Sequence, residues 1–367
     1  MAMACVLFGN SYFQTNNPIA KGRALSSIPY GGRYRNIDFI LSSLVEAKVS
    51  NIVVTVISDY SSLRDHIGSG KDWDLARKNG GIKIMTPYSG FTSTKISNKI
   101  EALHNLKKYL EDLTEEYIIL SDCNYIMTFD FEEMLEQHIK NEAFITAYYK
   151  MDVATEEENI SLAVNDEGRI TNAKIVKPSK NKIKSLINTF IMSTKDLIEQ
   201  VDIAISKRWE SFELDVVLRN IDKKKVFGFL HEGYSRSIYS VYDFYRANKE
   251  ILNYEVRKNL FEGEVPIITK VKDSIPTKYG AENKVRNSLI ADGCTIDGEV
   301  INSVIFRGAK IGKGAKLKDC IIMQNSIIEE GANLTCVICD KNTEVSTGSN
   351  LVGQEDYPFY IEKNAKV

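Results

Sequence analysis

Three charged side chains in the first half of the chain are of types that bind metal or phosphate. Asp122 follows the apolar run at residues 117–120, where a carboxylate can hold Mg²⁺ or accept hydrogen bonds from neighbouring backbone amides. Arg23 and Arg35 flank a glycine pair, and guanidinium groups bind phosphate bidentately, although surface ion pairs explain two arginines equally well. A site for a phosphorylated ligand and purely structural roles are therefore both open for these residues.

The cysteines offer little chemistry. The chain has six, and their spacing does not resemble a disulfide framework, which predicts a protein of the reducing cytoplasm. Cys336 and Cys339 form a lone C-x-x-C without a second pair or a nearby histidine. We interpret them as small residues packed in a repeat rather than as a metal or redox site.

Composition limits the class of protein. The 367 residues are 43% hydrophobic and 26% charged, which is typical of a globular chain long enough for two domains. The net charge of −2 gives no reason to expect nucleic acid as a partner. No apolar run reaches the roughly 18 residues of a membrane span, and residues 1–9 lack the basic start of a signal peptide.

The first part of the sequence alternates predicted strands with predicted helices. Residues 37–47 and 100–113 have helical spacing of apolar residues. Short apolar or β-branched runs predict strands at residues 4–8, 51–57, 117–120, 143–150 and 187–192. Strands interleaved with helices predict an α/β fold, with a mostly parallel sheet covered by helices on both faces.

After about residue 270 the sequence becomes repetitive. An aliphatic residue recurs, mostly every sixth position, at Ile290, Ile296, Ile305, Ile311, Leu317, Ile322, Ile328 and Leu334. This period indicates a parallel β-helix whose coils stack their aliphatic residues inward. The repeat predicts a structural and oligomerising module rather than a catalytic one.

Several segments, in order along nearly the whole chain, resemble ADP-glucose pyrophosphorylases, the glucose-1-phosphate adenylyltransferase family. Residues 29–39 read PYGGRYRNIDF, residues 66–75 read HIGSGKDWDL, and residues 80–84 read GGIKI. Residues 242–248 and 266–270 resemble two further family segments. The resemblance implies a Rossmann-like nucleotidyltransferase domain followed by a left-handed parallel β-helix. It also implies ATP and glucose-1-phosphate as the substrate class, with a role in bacterial glycogen synthesis.

The family's phosphate-binding loop is altered. Where the family has G-G-x-G-T-R-L, this chain keeps Gly9 but has no basic residue before Lys21, and Tyr12 and Phe13 are bulky enough to crowd the phosphates. Leu25 replaces a family lysine directed at phosphate, and residues 98–102 replace the nucleotide-contacting G-T-A-D-A. An ordinary polar turn is the simpler interpretation of this loop.

The metal and sugar positions are also altered. Asp122 matches one metal aspartate of the family, whereas Ser211 stands where the second is expected, and a hydroxyl is a poor Mg²⁺ ligand beside a carboxylate. Glu210 or Glu213 replaces the lost carboxylate only if the backbone shifts. Lys177 remains on the sugar side, but Ile160 replaces a glycine there. We interpret Asp122 and Lys177 as vestigial, and name no confident catalytic residue.

The resemblance is strongest to the non-catalytic, regulatory D-type subunit of this family. It predicts a cytoplasmic chain without a tightly bound cofactor that joins a catalytic homologue in a heterotetramer, with a homo-oligomer as the alternative for the chain alone. Mg²⁺ is left to the partner or is bound weakly through Asp122. Arg23 and Arg35 match an anion site for phosphorylated effectors in related enzymes. Two alternatives stay open: a weakly active adenylyltransferase, and a free-standing sensor of sugar phosphates.

These predictions define the expected domain boundaries. A nucleotidyltransferase-like domain takes residues 1–255, a linker residues 256–285, and the left-handed β-helix residues 286–367.

Overall fold

A computed structural model describes residues 2–10, 17–86, 96–153, 159–178 and 181–367. These residues form two compact units. The first contains the described residues within 1–14, 40–123 and 128–233, and the second contains those within 15–39, 124–127 and 234–367. The units therefore do not follow chain order, because residues 17–39 and 124–127 belong with the C-terminal part.

The helices of the described chain are α1 Asn36–Glu46, α2 Ser61–Ile67, α3 Lys99–Asn105, α4 Lys107–Glu111, α5 Phe131–Lys140, α6 Thr194–Ser206, α7 Val241–Glu250 and α8 Tyr254–Phe261. Phe212–Val217 forms one π-helical turn. The single helix predicted at residues 100–113 is divided into α3 and α4 by Leu106, whose N–H bonds to the carbonyl oxygens of both Ala102 and Leu103. Such a tightened last turn is a common way to end a helix.

The strands before the β-helix are β1 Met3–Phe8, β2 Pro29–Tyr30, β3 Tyr34–Arg35, β4 Asn51–Thr55, β5 Gly81–Met85, β6 Tyr117–Asp122, β7 Tyr125–Ile126, β8 Ile145–Val153, β9 Asn159–Val164, β10 Ile170–Val176, β11 Lys182–Ser193, β12 Val226–His231 and β13 Arg236–Ser237. In the first unit the sheet order is β10-β9-β11-β6-β1-β4-β5, with β8 paired to β11 and β12.

The central strands of this sheet are parallel and buried. β1 pairs in parallel with both β4 and β6, and β4 pairs in parallel with β5. Every residue of β1 is buried, as expected for a strand covered on both faces. The sheet is mixed rather than wholly parallel, because β11 runs antiparallel to β6, β8 and β9.

Short parallel strands build the C-terminal part of the second unit. They are β14 Lys278–Tyr279, β15 Lys284–Arg286, β16 Leu289–Ile290, β17 Thr295–Ile296, β18 Glu299–Ile301, β19 Val304–Ile305, β20 Lys310–Ile311, β21 Lys316–Lys318, β22 Ile321–Ile322, β23 Ile327–Ile328, β24 Asn333–Thr335, β25 Val337–Cys339, β26 Glu344–Val345, β27 Asn350–Val352 and β28 Phe359–Ile361. Each strand pairs with the strand three positions later in the chain. This gives three parallel sheets and therefore a parallel β-helix. Strands β14 and β15 lie within residues 256–285, the segment assigned to a linker from sequence.

The interior of the β-helix is built from columns of stacked apolar side chains. One column contains Ile296, Ile311, Ile328 and Val345 in direct register, and all four are buried. Cys339 occupies a place in another column, between Ile322 and Ile361. Cys336 and Cys339 are both buried free thiols, so the lone C-x-x-C lies within the packed repeat.

The second unit has an apolar core that joins distant parts of the sequence. Ile28 and Phe39 pack in one cluster with Phe244 of α7 and Phe306 of the β-helix. Gly31 belongs to the turn between β2 and β3, has a φ of 54°, and a Cβ there would lie 2.6 Å from Ile251 Cδ1. The glycine at this position is thus explained by close packing and a left-handed backbone.

Candidate functional site

The carboxyl ends of β1 and β6 lie side by side in the first unit. Phe8, the last residue of β1, is in register with Asp122, the last residue of β6. Ligands of open α/β sheets bind at this edge. Because β11 runs antiparallel to β6, it brings Asn188 to the same edge, where Nδ2 donates a hydrogen bond of 3.0 Å to Asp122 Oδ2.

A lysine ammonium lies against the other oxygen of this aspartate. Lys99 is the first residue of α3, after Asn98, whose side chain caps the helix by accepting from the N–H of Glu101 at 2.9 Å. The first turn of a helix disfavours cations, yet the Lys99 side chain reaches Asp122, with Nζ 2.7 Å from Oδ1. The same Nζ donates a hydrogen bond to Glu213 Oε1 and lies 5.2 Å from the centre of the Phe8 ring.

Glu213, rather than Ser211, presents a carboxylate to this edge. Ser211 caps the turn Phe212–Val217: its Oγ accepts from the N–H of Leu214 at 3.1 Å and donates to Glu213 Oε2 at 3.3 Å. Glu210 is exposed, whereas Glu213 is buried. Of the two glutamates considered from sequence, the structure places Glu213 at the Asp122 carboxylate, and it is already paired with Lys99.

The Lys99–Asp122–Glu213 triad is shielded from water. The exposed fractions of its side chains are 6%, 15% and 4%, respectively. Burial alone lowers the pKa of Lys99, but the two carboxylates outweigh burial and raise it, so the ammonium is charged. Burial raises the pKa of Asp122, and the Lys99 ammonium opposes that shift. One cation thus compensates two acids in a medium of low dielectric constant.

This arrangement does not fit a magnesium ion. The position that touches both carboxylates is taken by Nζ of Lys99, and the Ser211 hydroxyl is engaged as a helix cap. Among the residues that the structure describes, no group of three or more His, Cys, Asp or Glu side chains is placed to hold a metal ion.

Of the loop that matches the family's phosphate-binding loop, the structure describes Gly9 and Asn10, which form a polar turn. The N–H of Gly9 bonds to the carbonyl of Thr55 at 2.9 Å, and Asn10 Oδ1 accepts from the N–H of Ile57 at 2.9 Å. Tyr12 and Phe13, predicted to crowd the phosphates, lie outside the described residues. Lys177 is exposed directly after β10. In the second unit, Leu25 is buried in the apolar core.

The two arginines predicted to bind an anion lie in the second unit and differ in environment. Arg23 is buried, and its Nη2 donates a hydrogen bond of 2.6 Å to Asp340 Oδ2, whose side chain is 1% exposed. The Tyr360 hydroxyl donates to the same oxygen at 2.6 Å. Arg35 is half-buried at the end of β3. The ion-pair alternative therefore describes Arg23, although its partner is buried and not on the surface.

Lys341 and Lys272 add to the positive charge around these arginines. Burial, followed by repulsion from Arg35 and Arg23, lowers the pKa of Lys341 to about 7, against the attraction of Asp340. Burial lowers the pKa of Lys272 as well, with Arg35 and Arg307 adding to the shift. We call Arg23, Arg35, Lys272, Arg307 and Lys341 the cationic cluster. Arg35 repels both lysines, and a bound anion would relieve that repulsion.

Neither Lys99 nor Lys341 was predicted as a site residue from the sequence. Lys99 carries a weak signal, since a lysine directly after an N-capping asparagine opposes the helix dipole. Lys341 follows a buried acid on a β-helix turn and carries no comparable signal.

The residues that the structure describes include no helix long and apolar enough to cross a membrane.

Comparison with known proteins supports the architecture. The nucleotidyl transferase family matches residues 17–253, and the GlmU-like C-terminal hexapeptide family matches residues 273–357. These matches confirm the predicted α/β nucleotidyltransferase domain followed by a left-handed parallel β-helix.

Individual relatives are similar over most of the chain. A glycogen biosynthesis protein GlgD of Geobacillus stearothermophilus is 31% identical over 85% of this chain and 82% of its own. The GlgD of Bacillus subtilis (strain 168) is 29% identical over 86% of this chain and 82% of its own. A glucose-1-phosphate adenylyltransferase of Thermosipho africanus (strain TCF52B) is 32% identical over 80% of this chain and 73% of its own.

Proposed function

This chain belongs to the nucleotidyltransferase family that contains the glucose-1-phosphate adenylyltransferases and the GlgD glycogen biosynthesis proteins, and we propose that it is a regulatory, catalytically deficient member. In this proposal the chain assembles with a catalytic homologue and activates that homologue. The homologue makes ADP-glucose and pyrophosphate from ATP and glucose-1-phosphate. The observation that carries the proposal is the Lys99 ammonium between Asp122 and Glu213.

The charge of the triad argues against catalysis by this chain. Nucleotidyl transfer brings together a triphosphate and a sugar phosphate, and it requires cations around the reacting phosphates. Here the only cation of the triad is engaged by two carboxylates, which leaves a negative sheet edge that repels phosphate. Magnesium chemistry therefore belongs to the partner in this proposal, and this chain needs no resident cofactor.

The cationic cluster is the proposed receptor for a phosphorylated effector. Arg35, Lys272 and Lys341 bring positive charge together, as the lowered pKa values of both lysines indicate. Arg23 holds Asp340 through a buried ion pair, so within the cationic cluster we assign it a positioning role. Regulation through such a site requires that the effector bind more tightly in one state of the assembly than in the other.

The β-helix supplies the proposed surface for assembly. In one of its sheets β14 is an end strand, and an end strand offers an edge for further pairing. At the other end of that sheet, β26 already bonds to the C-terminal residues 365–367. Apolar side chains such as Val352 and Tyr357 are exposed there, by 64% and 83%. A hetero-oligomer with the catalytic homologue, such as a heterotetramer, would cover them.

The decisive experiment is kinetic. Pyrophosphate release from ATP, Mg²⁺ and glucose-1-phosphate is measured with this chain alone, with the catalytic homologue alone, and with the two mixed. We expect no useful turnover from the lone chain and a higher rate from the mixture. Turnover by the lone chain near the enzyme median of roughly 10 s⁻¹ would establish a genuine adenylyltransferase instead.

The same mixture tests the effector site. Arg35→Ala and Lys341→Met are expected to change the response of the mixture to phosphorylated effectors while leaving activation without effector intact. Lys318→Met, an exposed lysine of β21, is the matched control. If the wild-type chain leaves the partner's kinetics unchanged yet binds sugar phosphates, the protein is a free-standing sensor and the regulatory proposal fails.

A further inference from the structure

The triad at the sheet edge has the form of a metal site that is filled by a side chain. Mg²⁺ in proteins is commonly held by one or two carboxylates and completed by water. Asp122 comes from the end of β6 and Glu213 from the turn Phe212–Val217. Both carboxylates touch a single nitrogen atom, Nζ of Lys99, so a divalent cation at that position would touch both acids.

We infer that the Lys99 ammonium is a resident counter-ion that takes the position of a divalent cation and closes this edge of the sheet without metal. The contacts join three elements, since β6, the start of α3 and the turn Phe212–Val217 all meet at Nζ. A bound metal ion links separate ligands in the same way. This inference concerns the cation alone and holds whether or not the chain activates a partner.

Two further contacts match Lys99 to this role. The Phe8 ring lies 5.2 Å from Nζ, within the range of a cation–π interaction. Asn188 donates to Asp122 Oδ2, so the oxygen that does not face Lys99 has a hydrogen-bond donor of its own. The ammonium is thus enclosed by two acids and an aromatic ring, and a lysine 5% exposed as a residue is uncommon unless it is paired in this way.

The inference predicts that removal of the lysine creates a metal site. In Lys99→Met an unbranched apolar side chain is kept and the charged terminal group is lost, which leaves Asp122 and Glu213 facing each other without a cation. We expect the full-length variant to bind Mn²⁺, used as the probe, at least tenfold more tightly than the wild-type chain. We also expect millimolar Mn²⁺ to raise its midpoint of thermal unfolding relative to EDTA, whereas the wild-type midpoint stays unchanged.

Three variants separate this site from others on the protein. Lys99→Met combined with Asp122→Asn and Glu213→Gln is expected to lose the Mn²⁺ binding that Lys99→Met gains. Lys107→Met, which removes an exposed lysine paired with Asp202, is expected to gain none. Isothermal titration calorimetry and the electron paramagnetic resonance of free Mn²⁺ both report the binding.

Two results would overturn the inference. Wild-type chain that binds Mn²⁺, with affinity lost in Asp122→Asn, would mean that the metal displaces Lys99. Lys99→Met that binds Mn²⁺ no better than wild type would mean that the two carboxylates do not form a cation site. If the variant does not fold in EDTA, it is refolded from denaturant with Mn²⁺; recovery supports the inference, and equal failure with and without Mn²⁺ contradicts it.

Discussion

At the sheet edge of the first unit one ammonium lies between two carboxylates, whereas in the second unit several cations surround one buried carboxylate. Lys99 is enclosed by Asp122 and Glu213. Asp340 is bonded by Arg23 and Tyr360, with Arg35 and Lys341 adding positive charge. The first cluster is negative when all three groups are ionised and repels phosphate. The second brings cationic side chains together, and we propose it as the site for an anion.

Under the proposed function, this difference lets a nucleotidyltransferase fold keep anion recognition without transfer chemistry. Both clusters contain buried ion pairs, and the sign of the remaining charge decides which ligand each one accepts. Substitutions that reverse or remove this net charge should therefore affect the two clusters in opposite ways.

The largest expected effect is loss of stability in Lys99→Met. Removal of the cation leaves two buried carboxylates without compensation, which typically costs about 3–5 kcal/mol. Equilibrium unfolding by urea in the presence of EDTA measures the change. Lys107→Met removes an exposed ion pair and is expected to leave the midpoint unchanged. A loss for Lys99→Met that equals the control would contradict the pairing described for the triad.

Arg23→Met should have the next largest effect. The Asp340 side chain is 1% exposed, and after the substitution it keeps the Tyr360 hydroxyl but no guanidinium, so we expect a loss of about 3 kcal/mol in the free energy of unfolding. Adding Asp340→Asn removes the buried charge and should recover part of that loss. Full additivity of the two substitutions would show that the ion pair contributes nothing.

A smaller effect should appear in the pH dependence of anion binding. Lys341 has a pKa of about 7 because of burial and the neighbouring Arg35 and Arg23, while Asp340 opposes the shift and the exposed Lys363 adds to it. An anion favours the charged lysine, so affinity for sulfate should fall severalfold as pH rises from 6 to 8. Sulfate keeps its charge over this range, unlike phosphate. Lys341→Met should remove the dependence, and Lys318→Met should preserve it.

The lowered pKa of Lys341 also determines whether the free energy of unfolding rises or falls with pH. Without anion, the unfolded chain binds a proton at Lys341 up to its ordinary pKa near 10.4, whereas the folded chain releases it near pH 7. The free energy of unfolding should therefore rise with pH between these two values, and it should do so less in Lys341→Met. An unfolding free energy that falls over this window in the wild-type chain but not in the variant would contradict the lowered pKa.

Local patterns made part of this structure predictable. Ile311 and Ile328 recur at the period of a β-helix, and the register places them in one buried column. Asp122 follows a short apolar run, and it ends β6 at the binding edge of the sheet. Each of these features depends on residues near one another in sequence, where periodicity and chain termination carry information.

The pairings that define both clusters were not predictable in the same way. Lys99 and Glu213 are separated by 114 positions, and Arg23 and Asp340 by 317. Nothing in one sequence indicates that such distant residues meet, because their contact depends on the packing of whole elements. The strand predicted at residues 187–192 is shorter than the observed one for a related reason. β11 extends over Lys182–Ser193, and its additional residues pair with β8.

The smallest effect is expected from Ser211→Asp, which restores the acid that the family resemblance implies. Aspartate caps a helical turn about as well as serine, but it cannot donate to Glu213 Oε2 as the serine hydroxyl does, so we expect a loss of stability of about 1 kcal/mol. The added carboxylate alone should not create an Mg²⁺ site, because Lys99 still occupies the position between Asp122 and Glu213. In Lys99→Met, the same substitution should strengthen Mn²⁺ binding, since a third carboxylate then adjoins the open position. Calorimetry on the single and double variants separates these cases: Mn²⁺ binding by Ser211→Asp alone would mean that the missing aspartate, rather than the lysine, keeps metal out of this protein.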